Sequence, residues 1–360
     1  MDKQLKKAYK RPMPRHYFID PGNLCNLSCP FCPTGRRTAN AQRGLMPRET
    51  FDIIFDKIRK HAKLICLYNW GEPFINKDIL YMLSVCARHH IHSHLDSNLT
   101  LRDFSDDEAE AIVRSGVSSI FASIDGITQQ TYEKYRVNGQ LDRVLNNLRQ
   151  IMRAKKRLNM KTPELGWAFY IHKFNEHEVF RAKELAEEMG INIWFKLLSA
   201  DLSWQSSFHK EWNEILAFPK WVETAYPVPY DPYFTEIHFH KAILEVCKQP
   251  FNTMIVEWNG DVMPCCAVSG DEYKMGNLIE DSLDAVWNGE KFCRCRQFIT
   301  NFGPVQNTGA VCETLICPLK QKHNDQVTET VSENRLGTKS WYALFSRHKL
   351  FSRKGKNLRR

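Results

Sequence analysis

The 360-residue chain lacks any run of about 18 apolar residues, which argues against a membrane-spanning helix. No apolar stretch follows the basic segment at residues 1–15, so a secretory signal is not expected and we predict a cytoplasmic protein. In a short secreted chain, 12 cysteines would indicate a disulfide scaffold. In this long chain without a signal they indicate metal ligation or catalysis instead.

Acidic residues are scarce at both ends of the chain. Residues 1–15 hold six Lys or Arg and one Asp, and residues 341–360 hold seven Lys or Arg and no acid. These ends more than account for the formal net charge of +9, so residues 16–340 carry about −3. A basic groove for nucleic acid is therefore not expected in the body of the chain, and we predict no nucleic-acid partner.

Short apolar runs alternate with amphipathic stretches from residue 16 to about residue 200. Strands are predicted at residues 16–20, 64–68, 94–97, 118–124, 165–171 and 191–196, with helices between them. Six strand–helix units predict a parallel α/β fold, and periodicity alone leaves both a doubly wound sheet and a full or partial barrel open. A tract of four histidines between residues 89 and 94 is predicted to be loop and strand rather than a metal site.

The pattern changes after residue 201. Residues 202–240 are rich in aromatic residues and proline, and seven of the 12 cysteines lie between residues 247 and 317. We predict four parts: a basic N-terminal extension (1–15), a core domain (16–214), a smaller cysteine-rich domain (215–335) and a basic tail (336–360).

Cys25, Cys29 and Cys32 lie on the loop that follows the first predicted strand. Three thiolates this close in sequence can converge on one metal centre. Iron–sulfur clusters are usually held by four thiolates, so three would leave one iron open to a substrate or cofactor. Structural zinc usually needs a second cysteine pair, and none lies near in sequence, so zinc is the weaker alternative.

The Cys-x3-Cys-x2-Cys spacing, with Phe31 before the last cysteine, resembles the signature of the radical S-adenosylmethionine (SAM) superfamily. The resemblance implies a partial (β/α)6 barrel and a 4Fe–4S cluster that binds SAM at its open iron. It also implies reductive cleavage of SAM to methionine and a 5′-deoxyadenosyl radical, which abstracts hydrogen from a C–H bond. Flavodoxin or ferredoxin is the implied reductant.

Segments at later strand ends resemble the SAM-binding motifs of this family. Trp70-Gly71-Glu72-Pro73 is similar to the motif that holds the SAM amino group, with Trp70 in place of a glycine. Relatives contact the ribose and methionine parts of SAM from the ends of the next two strands, and they often place a cation for the SAM carboxylate. The implied SAM-binding residues are Phe31, Gly71, Glu72, Pro73, Ser97, Asn98, Ser123, Asp125 and Arg136.

The cysteine-rich region resembles the SPASM/twitch extension of such enzymes. The matching pieces are Cys247, Gly260-x4-Cys265 after a hairpin predicted from Asn259-Gly260, and a final cysteine pair with a longer spacing than usual. The resemblance implies one auxiliary 4Fe–4S cluster, and we assign its ligands as Cys247, Cys265, Cys312 and Cys317. A structural zinc ribbon is the alternative.

Other cysteines have different predicted roles. Cys266, Cys293 and Cys295 lie near the assigned ligands and are candidate hydrogen donors, with buried or substitute-ligand roles as the alternative. Cys293 or Cys295 could also serve a second cluster. Cys66 and Cys86 fall in a predicted strand and a predicted helix, and we expect them in the core.

These observations predict a radical SAM oxidoreductase or isomerase. No peptide-recognition domain is expected before the barrel, which favours a small polar, sugar-like substrate that is epimerised or dehydrogenated. Maturation of a ribosomal peptide or protein is the second hypothesis, and a zinc-stabilised nucleic-acid-binding protein is a third of another class. The aromatic and basic residues of the tail predict contact with an anionic membrane surface, with a solvated tail as the equal alternative.

Overall fold

A computed structural model describes residues 3–37, 42–198, 203–204, 206, 249–266, 268, 270–300, 310 and 312. Residues 1–315 form one compact unit, and residues 316–360 form a second unit that lies outside the described residues. Most of the aromatic segment at 202–240 is also outside them, as are Cys247, Cys317 and the tail, so the predictions for these parts stand untested.

Nine strands and eleven helices are described. The strands are β1 (His16–Ile19), β2 (Leu64–Cys66), β3 (His92–Ser97), β4 (Ser119–Ser123), β5 (Glu164–Ile171), β6 (Asn192–Leu197), β7 (Thr253–Val256), β8 (Asp261–Met263) and β9 (Gly276–Asn277). The helices are α1 (Lys3–Tyr9), α2 (Pro33–Arg36), α3 (Arg48–Ile58), α4 (Ile79–Arg88), α5 (Asp106–Arg114), α6 (Gln129–Tyr135), α7 (Leu141–Arg157), α8 (Val179–Met189), α9 (Gln249–Asn252), α10 (Leu283–Trp287) and α11 (Glu290–Thr300). Short 3-10 turns lie at Pro73–Ile75, Glu176–Glu178 and Asp271–Tyr273.

The strands form one sheet in the order β6-β5-β4-β3-β2-β1-β7-β8-β9. Strands β1 to β6 are parallel and follow one another in chain order, with no reversal of direction across the sheet. A doubly wound sheet would reverse its order at a switch point. The sequential order therefore confirms the partial-barrel prediction, and β1 pairs with β7 instead of β6.

The two faces of the sheet have different partners because side chains alternate along each strand. One face, with Ile65, Leu95 and Ile120, packs against the apolar faces of the surrounding helices in one large core. Cys86 of α4 is buried in that core, as predicted. The residues next to these along the strands, including Cys66 and Phe121, point to the other face and belong to smaller clusters on the barrel interior. Cys66 is also buried, again as predicted.

The predicted hairpin is present and continues the barrel sheet. Strands β7 and β8 pair antiparallel, Gly260 adopts a positive φ of 85° in the turn, and β7 pairs in parallel with β1. The predicted boundary at 214/215 lies outside the described residues, and one sheet contains strands from both sides of it.

The basic N-terminal segment is part of this unit. Helix α1 contacts α11, and Arg296 of α11 donates a hydrogen bond from Nη1 to the Tyr9 carbonyl at 3.1 Å. The Trp287 indole donates to the Pro12 carbonyl at 2.7 Å. Among the described helices, none is both long and apolar enough to cross a membrane.

Candidate functional site

Cys25, Cys29 and Cys32 lie together on the loop after β1, at the carboxyl end of the parallel strands. Cys29 is buried, and the other two are partly exposed. Helix α2 begins immediately after Cys32, whose backbone N–H donates to the Cys29 carbonyl at 3.2 Å. Parallel barrels place their sites at this end because the strands deliver their loops to one face.

Each of the three cysteines makes ionisation of its neighbours less favourable, because thiolates placed close together repel one another. The pKa of Cys25 is raised to about 12, chiefly by burial and to a smaller extent by the nearby Glu72, Cys29 and Cys32, while the Leu27 N–H opposes the rise. Burial also raises the pKa of Cys29, although the Arg136 guanidinium opposes part of that rise. A bound cationic iron centre would supply the positive charge that three thiolates at this place need.

The chemistry of the three donors fits a cluster, because cysteine thiolates are the usual ligands of iron–sulfur clusters. In the described part of the chain, no three Cys, His, Asp or Glu side chains lie close enough to share one metal ion. A 4Fe–4S cluster binds each cysteine through a different iron, so its ligands stand farther apart than those of tetrahedral zinc. Cys25, Cys29 and Cys32 therefore fit the cluster that the sequence predicts.

The Trp70-Gly71-Glu72-Pro73 loop packs directly on the cysteine loop. The Glu72 N–H donates to the Leu24 carbonyl at 2.8 Å. A Cβ atom on Gly71 would lie 1.7 Å from the Gly22 carbonyl oxygen, far inside van der Waals contact. Glycine at this position is required by the close approach of the two backbones.

We expect Gly71→Ala to displace the cysteine loop and lower its iron occupancy. The added methyl group meets backbone atoms, which cannot move aside as a flexible side chain can. Iron content and the visible absorbance of the reconstituted protein measure the effect. Gly190→Ala is the control, because its Cβ would meet no atom within 4 Å, although its positive φ costs some stability. Equal iron content in both variants would contradict the packing argument.

Glu72 is buried and joins three segments of the site. Its Oε1 accepts hydrogen bonds from Ser97 Oγ at 2.7 Å and from the Phe74 N–H at 3.2 Å, and its Oε2 accepts from the Asn98 N–H at 2.8 Å. Burial raises the pKa of this carboxyl, while these donors oppose the rise. One acceptor position on Oε2 is left for a further donor, such as the ammonium group assigned to it.

Asn98 connects this network to the cysteines. Its side-chain amide donates to Cys25 Sγ at 3.7 Å and to Asn26 Oδ1 at 2.9 Å. Ser97 and Asn98 thus hold Glu72 and the cysteine loop in place. Ser123 is the last residue of β4, the strand next to β3 in the sheet. Their contacts with SAM remain predictions.

Asp125 and Arg136 form a buried ion pair. Arg136 Nε donates to Asp125 Oδ2 at 2.5 Å, and the Tyr170 N–H donates to Oδ1 at 2.6 Å. Burial raises the pKa of the Asp125 carboxyl, and the guanidinium opposes that rise. Asp125 is fully buried, so a contact with ribose hydroxyls would require it to move. Arg136 retains other N–H groups for an anionic ligand.

Two features of this site were not found from the sequence. Asp20 follows β1, is buried, and accepts a hydrogen bond from the Trp70 N–H at 3.1 Å; burial raises its pKa to about 7. A carboxylate directly after a buried strand was the available signal. The second feature is a set of aromatic rings around Phe31. The Tyr135 ring is stacked on it with the ring centroids 6.5 Å apart, and the centroid of the Trp204 ring lies 5.4 Å away. No periodicity marks these rings as neighbours.

The second cysteine group is partly described. Cys265 and Cys312 are partly exposed, while Cys247 and Cys317 lie outside the described residues. Cys293 and Cys295 are completely buried on α11, and Cys266 is exposed. The four-ligand assignment therefore stays a prediction, and of the three candidate hydrogen donors Cys266 alone is exposed.

Two protein families match segments of this chain, one over the barrel and one over the cysteine-rich region. The radical SAM superfamily matches residues 19–162, which include all three cysteines of the first loop. SPASM, an iron–sulfur cluster-binding domain, matches residues 247–315, which include Cys247, Cys265 and Cys312.

Two curated relatives are similar to parts of the chain. The AdoMet-dependent heme synthase of Methanosarcina barkeri is 25% identical over 167 residues, which cover 46% of this chain and only 45% of that protein. The tungsten-containing aldehyde ferredoxin oxidoreductase cofactor-modifying protein of Pyrococcus furiosus is 18% identical over 307 residues, covering 80% and 85%.

The fold is similar to that of Streptococcus suis SuiB. SuiB bound to S-adenosylmethionine superposes with a TM-score of 0.59 at 16% identity, covering 88% of this chain and 73% of SuiB. SuiB bound to its precursor peptide SuiA gives a TM-score of 0.60 at the same identity, covering 82% and 69%. At this identity the likeness establishes the fold alone.

Proposed function

Because the chain belongs to the radical SAM superfamily and carries an SPASM iron–sulfur domain, we propose that it abstracts hydrogen from a small polar, sugar-like substrate, which is then epimerised or dehydrogenated. The cofactors of such an enzyme are 4Fe–4S clusters and SAM, as predicted from the sequence. When bound, they supply reductive cleavage of SAM to the 5′-deoxyadenosyl radical, and the chain's own residues bind, orient and shield the reactants.

The polar lining of the barrel interior carries this proposal. Asp96 of β3, Lys196 of β6 and Tyr170 of β5 are partly exposed there, near the carboxyl ends of their strands. Lys196 and Cys266 are close enough to affect one another's ionisation. Charged groups of both signs inside a barrel suit a compact substrate with several polar groups.

The residues around the cysteine loop have distinct tasks in this proposal. Glu72 offers its remaining acceptor position to the SAM ammonium, and Arg136 offers its unpaired N–H groups to the SAM carboxylate. The rings of Phe31, Tyr135 and Trp204 exclude water from the same side. Water exclusion protects a carbon radical from side reactions.

Cys266 is the proposed hydrogen donor if the product is an epimer. It is exposed and within electrostatic reach of both Lys196 and Tyr170 on the barrel interior. Cys293 and Cys295 are completely buried on α11 and do not offer their thiols to a substrate. A thiol returns a hydrogen atom that exchanges with solvent, which makes its use detectable.

Maturation of a peptide is the second candidate, and the fold similarity to SuiB, a protein solved with its precursor peptide SuiA, favours it. Zinc-stabilised nucleic-acid binding has less support, because both matched families are iron–sulfur families.

The deciding experiment measures 5′-deoxyadenosine from anaerobically reconstituted full-length protein with SAM and dithionite. We expect sugars, amino sugars or nucleotide sugars to increase its formation, and unstructured peptides to have no effect. Stimulation by peptides alone would replace the sugar proposal with the maturase. In D₂O, an epimer of unchanged composition should carry one deuterium, whereas a dehydrogenated product should be two hydrogens lighter.

Matched variants test the donor. Cys266→Ala should abolish deuterium transfer to the product, while Cys293→Ala should retain it because that thiol is buried. Deuterium transfer by Cys266→Ala at the rate of the wild-type protein would remove Cys266 from the proposal.

We expect Cys265→Ala to lower the iron content from about eight to about four atoms per chain, because the auxiliary cluster is assigned four thiolates and loses one of them. Cys86→Ala is the matched control, since Cys86 lies buried in α4. Iron analysis of both reconstituted proteins is the measurement. Unchanged iron in Cys265→Ala would show that Cys265 is not a ligand.

A further inference from the structure

A large cavity lies at the amino ends of the barrel strands, at the barrel end opposite the cysteine loop. Its volume is about 1100 Å³. Its wall includes the first residues of β2 to β6, the carboxyl-terminal part of α7 and the loop at residues 159–162. None of the residues assigned to SAM or to the clusters lines this cavity, so the proposed function leaves it without a role.

Four lysines line the cavity: Lys63, Lys155, Lys156 and Lys161. Within the described part of the chain, none of them makes an ion pair or a side-chain hydrogen bond. Arg157, the next residue of α7, does not line the cavity and pairs with Asp106 at 3.4 Å and with Glu110 at 3.0 Å. At the end of α7, the basic side chains of the cavity wall therefore lack the anionic partners that their neighbour has.

The wall of the cavity has too few negative charges for its lysines. Lys155 is partly buried, and burial lowers the pKa of its ammonium group, while the nearby Glu164 carboxylate opposes that fall. Glu164 is the one carboxylate among the described residues of the wall. Four ammonium groups against one carboxylate leave an excess of about three positive charges. An anionic ligand would supply the negative charge that a partly buried ammonium needs.

Other polar side chains of the wall already have partners. His94 Nδ1 lies 2.8 Å from Ser119 Oγ, and His94 Nε2 lies 2.9 Å from Asp96 Oδ1 on the barrel interior. Glu164 Oε1 accepts a hydrogen bond from Asn192 Nδ2 at 3.1 Å. Both ring nitrogens of His94 are thus in use, and the lysines are the groups that remain to bind a charged ligand.

Apolar side chains form the rest of the wall. They are Leu64, Met152, Met160, Leu165 and Ile191. Methionine side chains are flexible and polarisable, so they adapt to the shape of an apolar group. The volume of the cavity is at the upper end of the range for small-molecule sites, which is about 300–1,000 Å³. A single inorganic ion would leave most of this space and all of the apolar wall unused.

We propose that this cavity is a second ligand site, which binds an organic polyphosphate such as a nucleoside triphosphate. The lysines bind the phosphate groups as point charges, and the apolar wall packs against the base. The site is separate from the cysteine loop, and the proposal does not depend on the identity of the radical substrate.

Isothermal titration calorimetry of reconstituted full-length protein tests the proposal, with saturating SAM at the cysteine loop and no reductant. We expect ATP to bind with a Kd below about 100 μM and adenosine to show no binding at about 1 mM, because adenosine lacks the charges. Tripolyphosphate should bind at least about tenfold more weakly than ATP, because it lacks the apolar part. Added salt should weaken ATP binding, since the lysines are near the surface.

Lysine protection locates the site. With limiting acetylating reagent and mass spectrometry, we expect ATP to reduce labelling of Lys155 and Lys161. Lys60 and Lys77 are internal controls, because they are exposed and do not line the cavity. Their labelling should not change.

Matched double variants test the charges. Lys155→Gln combined with Lys161→Gln should weaken ATP binding by at least about tenfold, because charge-assisted hydrogen bonds to phosphate are lost. Lys60→Gln combined with Lys77→Gln removes the same charge elsewhere and should leave the Kd unchanged. Circular dichroism of both variants verifies that the barrel is folded.

Equal loss of affinity in the two double variants would overturn the proposal. So would absence of ATP binding by the wild-type protein, or equal protection of Lys155 and Lys60. Tripolyphosphate binding as tightly as ATP would overturn the assignment of an organic ligand. None of these measurements uses SAM cleavage or the radical substrate, so their failure is separate from a failure of the proposed function.

Discussion

Replacing any one of Cys25, Cys29 and Cys32 by alanine should reduce 5′-deoxyadenosine formation to the level of an enzyme-free control. Two thiolates do not hold the cluster, and reductive cleavage of SAM depends on that cluster. The barrel should still fold, because these residues lie on a loop that Glu72 holds at the Leu24 carbonyl and Asn98 holds at the Asn26 side chain. Deoxyadenosine and iron, measured on the same preparation, give the result.

Cys86→Ala is the matched control for this series, since Cys86 is a buried cysteine of α4 in the helix-packed core. It should retain cluster content and SAM cleavage, with a modest loss of stability. Deoxyadenosine formation at the wild-type rate by any of the three loop variants would disprove the assignment of the first cluster.

Asp125→Asn should destabilise the folded protein by about 3 kcal/mol or more. The side chain keeps its size, and its carbonyl oxygen can still accept from the Tyr170 N–H, but Arg136 loses its buried anionic partner. The Arg136 side chain is only 13% exposed, and a largely buried charge without a counter-ion is costly because little water reaches it. The free energy of unfolding, measured by denaturant titration followed by circular dichroism, reports the change.

The control is Asp103→Asn, which removes the carboxylate of the Asp103–Arg143 pair, in which 71% of the Asp103 side chain is exposed. Exposed ion pairs contribute little because water already solvates both charges, so a change below about 1 kcal/mol is expected. A similar loss in both variants would mean that the Asp125–Arg136 pair contributes no more than a surface pair.

Much of the barrel was predictable because its strands are buried and its helices are amphipathic. For example, Ser105 and Glu108 have the Ser-x-x-Glu spacing of a helix capping box, and both of its hydrogen bonds are present at the start of α5. The turn at Asn259-Gly260 predicted a hairpin, but nothing in that segment indicated its parallel pairing with β1. Sheet partners distant in sequence are set by tertiary packing, which local patterns do not record.

Some parts of the candidate site were also predictable from the sequence, and others were not. The cysteine loop and Glu72 follow motifs of fixed spacing, and their proximity was predictable from the strand ends. The ion pair between Asp125 and Arg136, and the bonds of His94 to Ser119 and Asp96, depend on how side chains turn within the barrel. The histidine tract was rightly predicted as loop and strand, yet the role of His94 inside the barrel required the structure.

The pairing of β1 with β7 has a consequence for synthesis of the protein. Strand β1 leaves the ribosome well before β7, so one of its two hydrogen-bonding edges has no partner until residues 253–256 follow. Likewise, the Trp287 indole that bonds to Pro12 is 275 residues away along the chain. Contacts of such long range slow folding because the loop must close before they form. The nascent barrel therefore exposes a strand edge during most of its translation, and chaperones that shield such edges should increase the yield of folded protein.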